Sequence, residues 1–348
     1  MSPQQIDSLV NNGCLPGSDS PEGRQLIETH ISWVILTSQF AYKIKKPVRF
    51  SFLDFSTPER RKTACEEELR LNRRLSDIYL DVVPVVFDGQ QYGIGLEGRV
   101  VDYAVKMQRV DGSRQMDLLL RKNQVTAADI EALAVRLANF HRHARIVKVP
   151  FDAQQVMADF SDLSSVAAVL SQRADPAFSA LIPDWVKLAE KAIVQLSPRF
   201  GQRVTEGFVR EGHGDLHSRN IFLLEEPVIF DCIEFSEHLR INDVLSELAF
   251  LSMDLKRFGK KDFKGMLIKK YNEVYPCFTD ERDQAVFQYF LLYRASIRLK
   301  IAGLQLQQLP ESPESGLKEL KAEIAALAGL CRHYAGKLEE MLLQLTKA

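Results

Sequence analysis

The hydrophobic pattern of this 348-residue chain changes character at Gly112, and that change bounds what it can fold into. Upstream, apolar residues come in short β-branched runs separated by turns. "HISWVIL" (30–36) and "FAYKIKKPV" (40–48) read as two strands joined at "TSQ", a hairpin that Pro47 ends. "STPERRKTACEEELRLNRRLS" (56–76) reads as a helix, with Ser56 or Thr57 as cap and Pro58 at its first position. "VVPVVFDGQQYGIGLEG" (82–98) gives strand, turn and strand, and "VVDYAVKMQRV" (100–110) one strand more. The first thirty residues read as a short helix and a loop. Downstream, "TAADIEALAVRLANFHRHARIV" (126–147) is periodic at helical spacing, with Ile130, Leu133, Leu137 and Phe140 on one face. Helices dominate 155–200 and nearly everything after Asn242, with "PESPES" (310–315) as a loop before the last one.

The expectation is therefore an α+β, two-lobed chain. Residues 1–110 form a small antiparallel sheet with one helix, residues 111–348 form a larger helical lobe, and a ligand cleft lies between them. The net charge of −1 leaves no global field to draw nucleic acid or an anionic membrane, so any anion site has to be local. The basic runs "RRK" (60–62) and "KRFGKKDFKG" (256–265) read as solvated faces. Five cysteines, an odd number with no CxxC, fit a reducing cytoplasm rather than a disulfide framework or a zinc site. The N-terminus has no secretory pattern, and no apolar run reaches the length of a membrane span.

Within the second part, "GHGDLHSRNIFLLEEPVIFDCIEF" (212–235) places an unusual set of polar residues among apolar ones, and polar groups are costly to bury without partners. Either they satisfy one another as a structural knot, or they surround something charged. Asn220 and Asp231, on adjacent elements, offer oxygen atoms suited to a hard cation such as Mg²⁺, which takes few protein ligands. Asp215, five residues before Asn220, is then available to accept a proton from a hydroxyl. The order His213-Gly214-Asp215, Asn220, Asp231 follows the H-R-D-x-x-x-x-N and later Asp of protein kinases.

"HGDLHSRNI" with "IFDCIEF" resembles the catalytic and metal-binding segments of the aminoglycoside phosphotransferase (choline kinase-like) branch of the protein-kinase-like fold. "VLSELAFL" (244–251) resembles a further helix of that branch. The resemblance implies ATP as phosphoryl donor, Mg²⁺, a small-molecule hydroxyl as acceptor and a cytoplasmic enzyme. It implies Asp215 as base, with Asn220 and Asp231 on the metal. A strand lysine holding the phosphates would be Lys43, with Lys45 as the other choice, and its helix partner would come from Glu66, Glu67 or Glu68. Glu68 is preferred because Leu75 falls on the same helix face. Gln108 and Val110 sit where the link between lobes would offer backbone groups to a base.

His213, His217 and Asp243 are expected to support the catalytic loop, and Glu234 to assist a metal or to form a salt bridge. Arg294 and Arg298, four apart on one helix, could meet an anionic substrate group or be paired. His141 and His143, two apart on a helix, are not a metal pair.

One departure is plain. No G-x-G-x-x-G precedes Lys43, so Thr37, Ser38 and Gln39 with their backbone N–H groups would have to cover the phosphates. That keeps open a kinase-shaped binding or regulatory protein that no longer turns over, and an enzyme that modifies a protein. No GxxxxGK[ST] is present, so no P-loop domain is expected within this sequence.

Overall fold

A strand alternates its side chains across a sheet, and the central strand here, Phe40–Lys45, uses both faces. Tyr42 and Ile44 join a core with Trp33, Ile35, Val85 and Ala104, closed by Ile6 and Leu9 of the N-terminal helix Pro3–Asn12. Ala41 joins the opposite core with Cys65, Tyr79, Val105 and Met107, which faces the helix Pro58–Asn72. Lys43 and Lys45 share the Ala41 face by the same alternation, so the pattern that builds the sheet aims two lysines at one helix.

In the computed structural model, residues 1–18, 20–50, 53–309 and 316–346 are described; the expected loop at 310–315 lies outside them. The chain divides into two compact units. The first comprises Met1–Lys122, His213–Asp215 and Arg219–Arg240, and the second Asn123–Gly212, Leu216–Ser218 and Ile241–Ala348.

The first unit holds a six-stranded antiparallel sheet in the order Gln25–Glu28, Ser32–Leu36, Phe40–Lys45, Arg99–Gln108, Tyr79–Phe87, Tyr92–Gly93. The edge strand Gln25–Glu28 was not evident from sequence, because all four of its residues are exposed and it carries no apolar alternation. The helix Pro58–Asn72 starts at Thr57, whose side chain accepts from the Arg60 N–H. It is locked to the sheet by Arg61, which grips the buried Asp102 carboxylate through Nε and Nη2, each at 2.9 Å. The unit takes in more than the expected 1–110 lobe. Leu223 N–H donates to the Arg114 carbonyl at 2.9 Å, and Cys232 N–H to Asn72 Oδ1 at 2.9 Å. Of the apolar runs at 220–224 and 228–235, only a two-residue ladder pairs, Ile221–Phe222 on Val228–Ile229.

The second unit is helical, as the 3.6-residue pattern requires. The long helix Asp283–Gln308 packs against Leu317–Leu345 and Val244–Arg257, and Lys261–Val274 packs against Ala127–His143. A buried ionic chain joins its elements. Arg199 and Arg203 of the helix Ile182–Thr205 share Asp283, at 2.7 and 2.9 Å, and Arg203 also holds Asp243 at 2.6 Å. No described helix is long and apolar enough to cross a membrane.

Candidate active site

Lys43 and Lys45 meet the helix Pro58–Asn72 at one carboxylate. Lys43 Nζ lies 2.7 Å from Glu68 Oε1, and Lys45 Nζ lies 2.7 Å from Glu68 Oε2. The choice among three glutamates is thus made by helix phase. Glu68 is buried, whereas Glu66 reaches out to Lys62 and Glu67 to Arg70. The choice between the lysines dissolves, since Glu68 serves both. Each lysine has a second acid from the 231–234 segment: Lys43 pairs with Asp231 Oδ1 at 2.6 Å, and Lys45 with Glu234. Of the two roles open to Glu234, the structure shows the salt bridge.

The electrostatics follow from this crowding. Burial works against the Lys43 ammonium, but Asp231, Glu68 and Glu234 overcome it and hold its pKa well above the ordinary lysine value. Lys45 is likewise raised, against its burial, by Glu234 and Glu68. Burial would raise Glu68, yet the two lysines pull it down to about 2. Glu234 goes the other way, raised by burial and, after the opposing pull of Lys45, by the charge of Glu68.

Two residues missed in the sequence hold this cluster. Tyr79 opens a sheet strand, and its hydroxyl accepts the Asp231 N–H at 3.0 Å. Asn72, one helical turn after Glu68, donates to the Glu68 carbonyl at 2.9 Å while its Oδ1 takes the Cys232 N–H. The i, i+4 spacing of Glu68 and Asn72 was the available signal. Asp231 itself has φ of +63°, in the left-handed region.

In the segment from His213 to Asn220, hydrogen bonds within the same unit hold His213, Asp215 and Asn220. His213 Nε2 meets the Phe230 carbonyl oxygen at 2.8 Å, its Nδ1 meets the Asp215 N–H at 3.2 Å, and its carbonyl takes the Ile233 N–H at 3.0 Å. His213 thus ties this loop to Phe230 and Ile233. The Asn220 amide donates to the Asp215 carbonyl at 3.0 Å and approaches Asp215 Oδ2 at 3.5 Å. Phe230 N–H donates to the Asn220 carbonyl at 3.0 Å, which sets Asn220 beside the residue preceding Asp231.

Gly214 turns the chain at φ of +90°, and a Cβ there would lie 3.0 Å from the Leu239 carbonyl oxygen and 3.1 Å from Ile233 Cδ1. Gly214→Ala should therefore cost about 1–2 kcal/mol, read as a lower urea midpoint at unchanged m-value.

The donor set suits a hard cation. Among the described residues no hydrogen bond reaches Asn220 Oδ1 or Asp231 Oδ2. The Asp231 side chain is 45% exposed. No cluster of three His, Cys, Asp or Glu is placed to hold a metal among the described residues, but Mg²⁺ commonly takes only one or two protein ligands.

The other expected positions fall as follows. The Gln108 N–H is spent on the Ile78 carbonyl at 2.8 Å, while the Val110 N–H has no hydrogen-bond acceptor among the described residues. In the hairpin turn the Thr37 and Gln39 N–H groups donate to the Phe40 and Gly17 carbonyls, and the Ser38 hydroxyl also reaches Gly17 at 2.6 Å. The turn is a closed one, with only Ser38 keeping an N–H uncommitted among the described residues.

His217, Asp243, Arg294 and Arg298 belong to the second unit. The His217 ring stands edge-on to Phe250 at 5.6 Å. Asp243 caps the helix Val244–Arg257 through the Leu245 N–H and pairs with Arg203. Its strand, Ile241–Asp243, lies against Val209–Glu211, which leads into the segment from Gly212 to Asn220. Arg294 Nε donates to Ser246 at 3.1 Å and its guanidinium lies 5.0 Å from the Phe250 ring, while Arg298 meets Glu323 at 3.3 Å. Arg298 is thus a paired arginine, one of the two readings its spacing allowed. His141, set aside as a metal ligand, instead bridges Tyr271 and Glu247, each at 2.7 Å, and Glu247 packs against Gly212 so tightly that no Cβ would fit there.

Residues 38–282 match the model of the APH phosphotransferase enzyme family. Uncharacterized proteins of Mycobacterium tuberculosis and Mycobacterium bovis are 28% identical over 322 residues, covering 90% of this chain and 62% of theirs. The chain thus spans about three fifths of the length of these curated relatives. A choline kinase from Cryptosporidium parvum superposes with a TM-score of 0.57 at 11% identity, covering 97% of this chain and 96% of that one. A choline/ethanolamine kinase family protein from Mesorhizobium loti gives 0.55 at 13% identity, covering 93% and 94%. The fold is accordingly kinase-like, and with the family model matching well over half of its length, the chain belongs to the phosphotransferase enzyme family.

Proposed function

We propose that the protein is an ATP- and Mg²⁺-dependent phosphotransferase that moves a phosphoryl group to a hydroxyl of a small molecule. The observation that carries this reading is Lys43, a buried lysine held between Glu68 and Asp231, with Asp215 and Asn220 hydrogen-bonded to each other on the neighbouring segment. In the reaction the acceptor oxygen bonds to the γ-phosphorus, the hydroxyl proton passes to an Asp215 carboxylate oxygen, and the bond from phosphorus to the ADP oxygen breaks with its electron pair. Lys43 supplies fixed positive charge to the phosphates, and Glu68 sets its position. Mg²⁺, held by Asn220 and Asp231, would neutralise phosphate charge. Positioning and charge account for most of the rate in such transfers. The Val110 N–H, without an acceptor among the described residues, is a donor available to a base.

A second reading has a specific observation in its favour. The closed turn at Thr37–Gln39 has few N–H groups left to cover phosphates, as in a kinase-shaped binder without turnover. Thermal unfolding with ATP, with and without Mg²⁺, followed by a metabolite screen for ATP consumption, separates the two. A Mg²⁺-dependent rise in midpoint together with consumption in the presence of one acceptor class is expected. A rise without consumption favours the binder, and no response to any nucleotide sinks both.

A further inference from the structure

The basic run at 256–265, which reads as a solvated face, is not wholly solvated. Lys256 ends the helix Val244–Arg257, and Lys261 and Lys264 begin the helix Lys261–Val274. With Tyr334 and Lys337 of the helix Leu317–Leu345 they line a pocket of about 170 Å³, all within the second unit. Among the described residues none of the four lysines pairs with a carboxylate. Lys256 lies 4.8 Å from the centre of the Tyr334 ring, and Lys264 lies 5.3 Å from that of Phe287.

Three further observations point to an anion as the ligand. Tyr334 is 1% exposed, and its hydroxyl has no hydrogen-bond partner among the described residues. The helix Lys261–Val274, whose first turn gives Lys261 and Lys264 to the lining, opens without a side-chain cap, and its one first-turn acid, Asp262, is exposed. Burial and mutual repulsion push Lys256 and Lys264 each down to about 8, and His333 beside them is also lowered. A site that repels its own charge is stabilised by a counter-ion.

We infer that this pocket binds a phosphate group, as inorganic phosphate or as the head of a phosphate monoester, at a site separate from the Lys43–Asp231 cluster. Its size is below the roughly 300–1,000 Å³ of pockets that enclose drug-sized ligands, so it suits a single phosphate head rather than a nucleotide. Among the described residues no arginine lines it, so phosphate would be held by lysine point charges rather than by a bidentate fork.

The test is calorimetric titration of the whole chain in phosphate-free buffer, with inorganic phosphate in one arm and glycerol 3-phosphate in the other. Saturable binding is expected, weakened about tenfold or more in K256Q/K264Q. Exposed Lys337→Gln, measured alongside, should weaken it in the same direction and covers the case in which the double variant fails to fold. Tighter binding in one arm identifies the source. Binding that survives these substitutions lies at the nucleotide site and overturns the inference. So does a response that sodium chloride reproduces at equal ionic strength. Loss of ATP turnover in other variants would leave this result untouched.

Discussion

Asp215→Asn should lower the rate of phosphoryl transfer by roughly 10²–10⁴-fold while leaving nucleotide affinity near that of the unchanged protein. The substitution keeps the shape of a half-buried side chain that sits 3.5 Å from the Asn220 amide, and the Asp215 backbone is held by the His213 and Asn220 side chains. What it removes is the ability to accept a proton. Since Lys43, Glu68 and Asp231 are untouched, Mg²⁺-dependent thermal stabilisation by ATP should persist. Transfer at an undiminished rate would show that Asp215 is not the base; loss of nucleotide binding would show that it does more than move a proton.

Glu68→Ala is expected to be the most damaging single change to stability near the site. It strips the shared carboxylate from two buried lysines, leaving Lys43 with Asp231 and Lys45 with Glu234. Breaking a buried ion pair from one side costs about 3–5 kcal/mol, a fall in unfolding midpoint of about 10 °C. Glu66→Ala, on the exposed side of the same helix, should change stability by no more than about 0.5 kcal/mol.

The acid limb of stability carries a second signature. Glu68 is lowered from 4.5 to about 2, so its contribution is complete above pH 4.5 and is lost as the pH falls towards 2. Glu234 is raised, so its contribution has the opposite sign, present at low pH and lost as the pH rises. Unfolding followed from pH 5 to pH 2 should show the Glu68 limb in the unchanged protein and a flatter profile in Glu68→Ala. Equal profiles would mean that Glu68 is not held ionised by the lysines.

Much of this was legible in the chain itself, for identifiable reasons. The hairpin, the capped helix and the strand Arg99–Gln108 follow from alternation, Pro58 and Thr57, which are local signals. The Lys43–Glu68 pair was legible because strand and helix periodicities each single out one face. The edge strand at 25–28 was not, because an exposed strand carries no burial pattern. Nor were Tyr79 and Asn72, whose roles depend on residues about 150 positions away in sequence. The lysine pocket was misread for a related reason: a charge run looks the same whether its helix ends face water or converge on a third helix.

The backbone at Asp231 has a consequence of its own. Glycine would sit at φ of +63° with about 1 kcal/mol less strain, but it would also strip Lys43 of a carboxylate 2.6 Å away. Backbone ease and charge pairing therefore oppose each other at a single position: Asp231→Gly would gain a more relaxed turn and leave a buried lysine with one acid fewer.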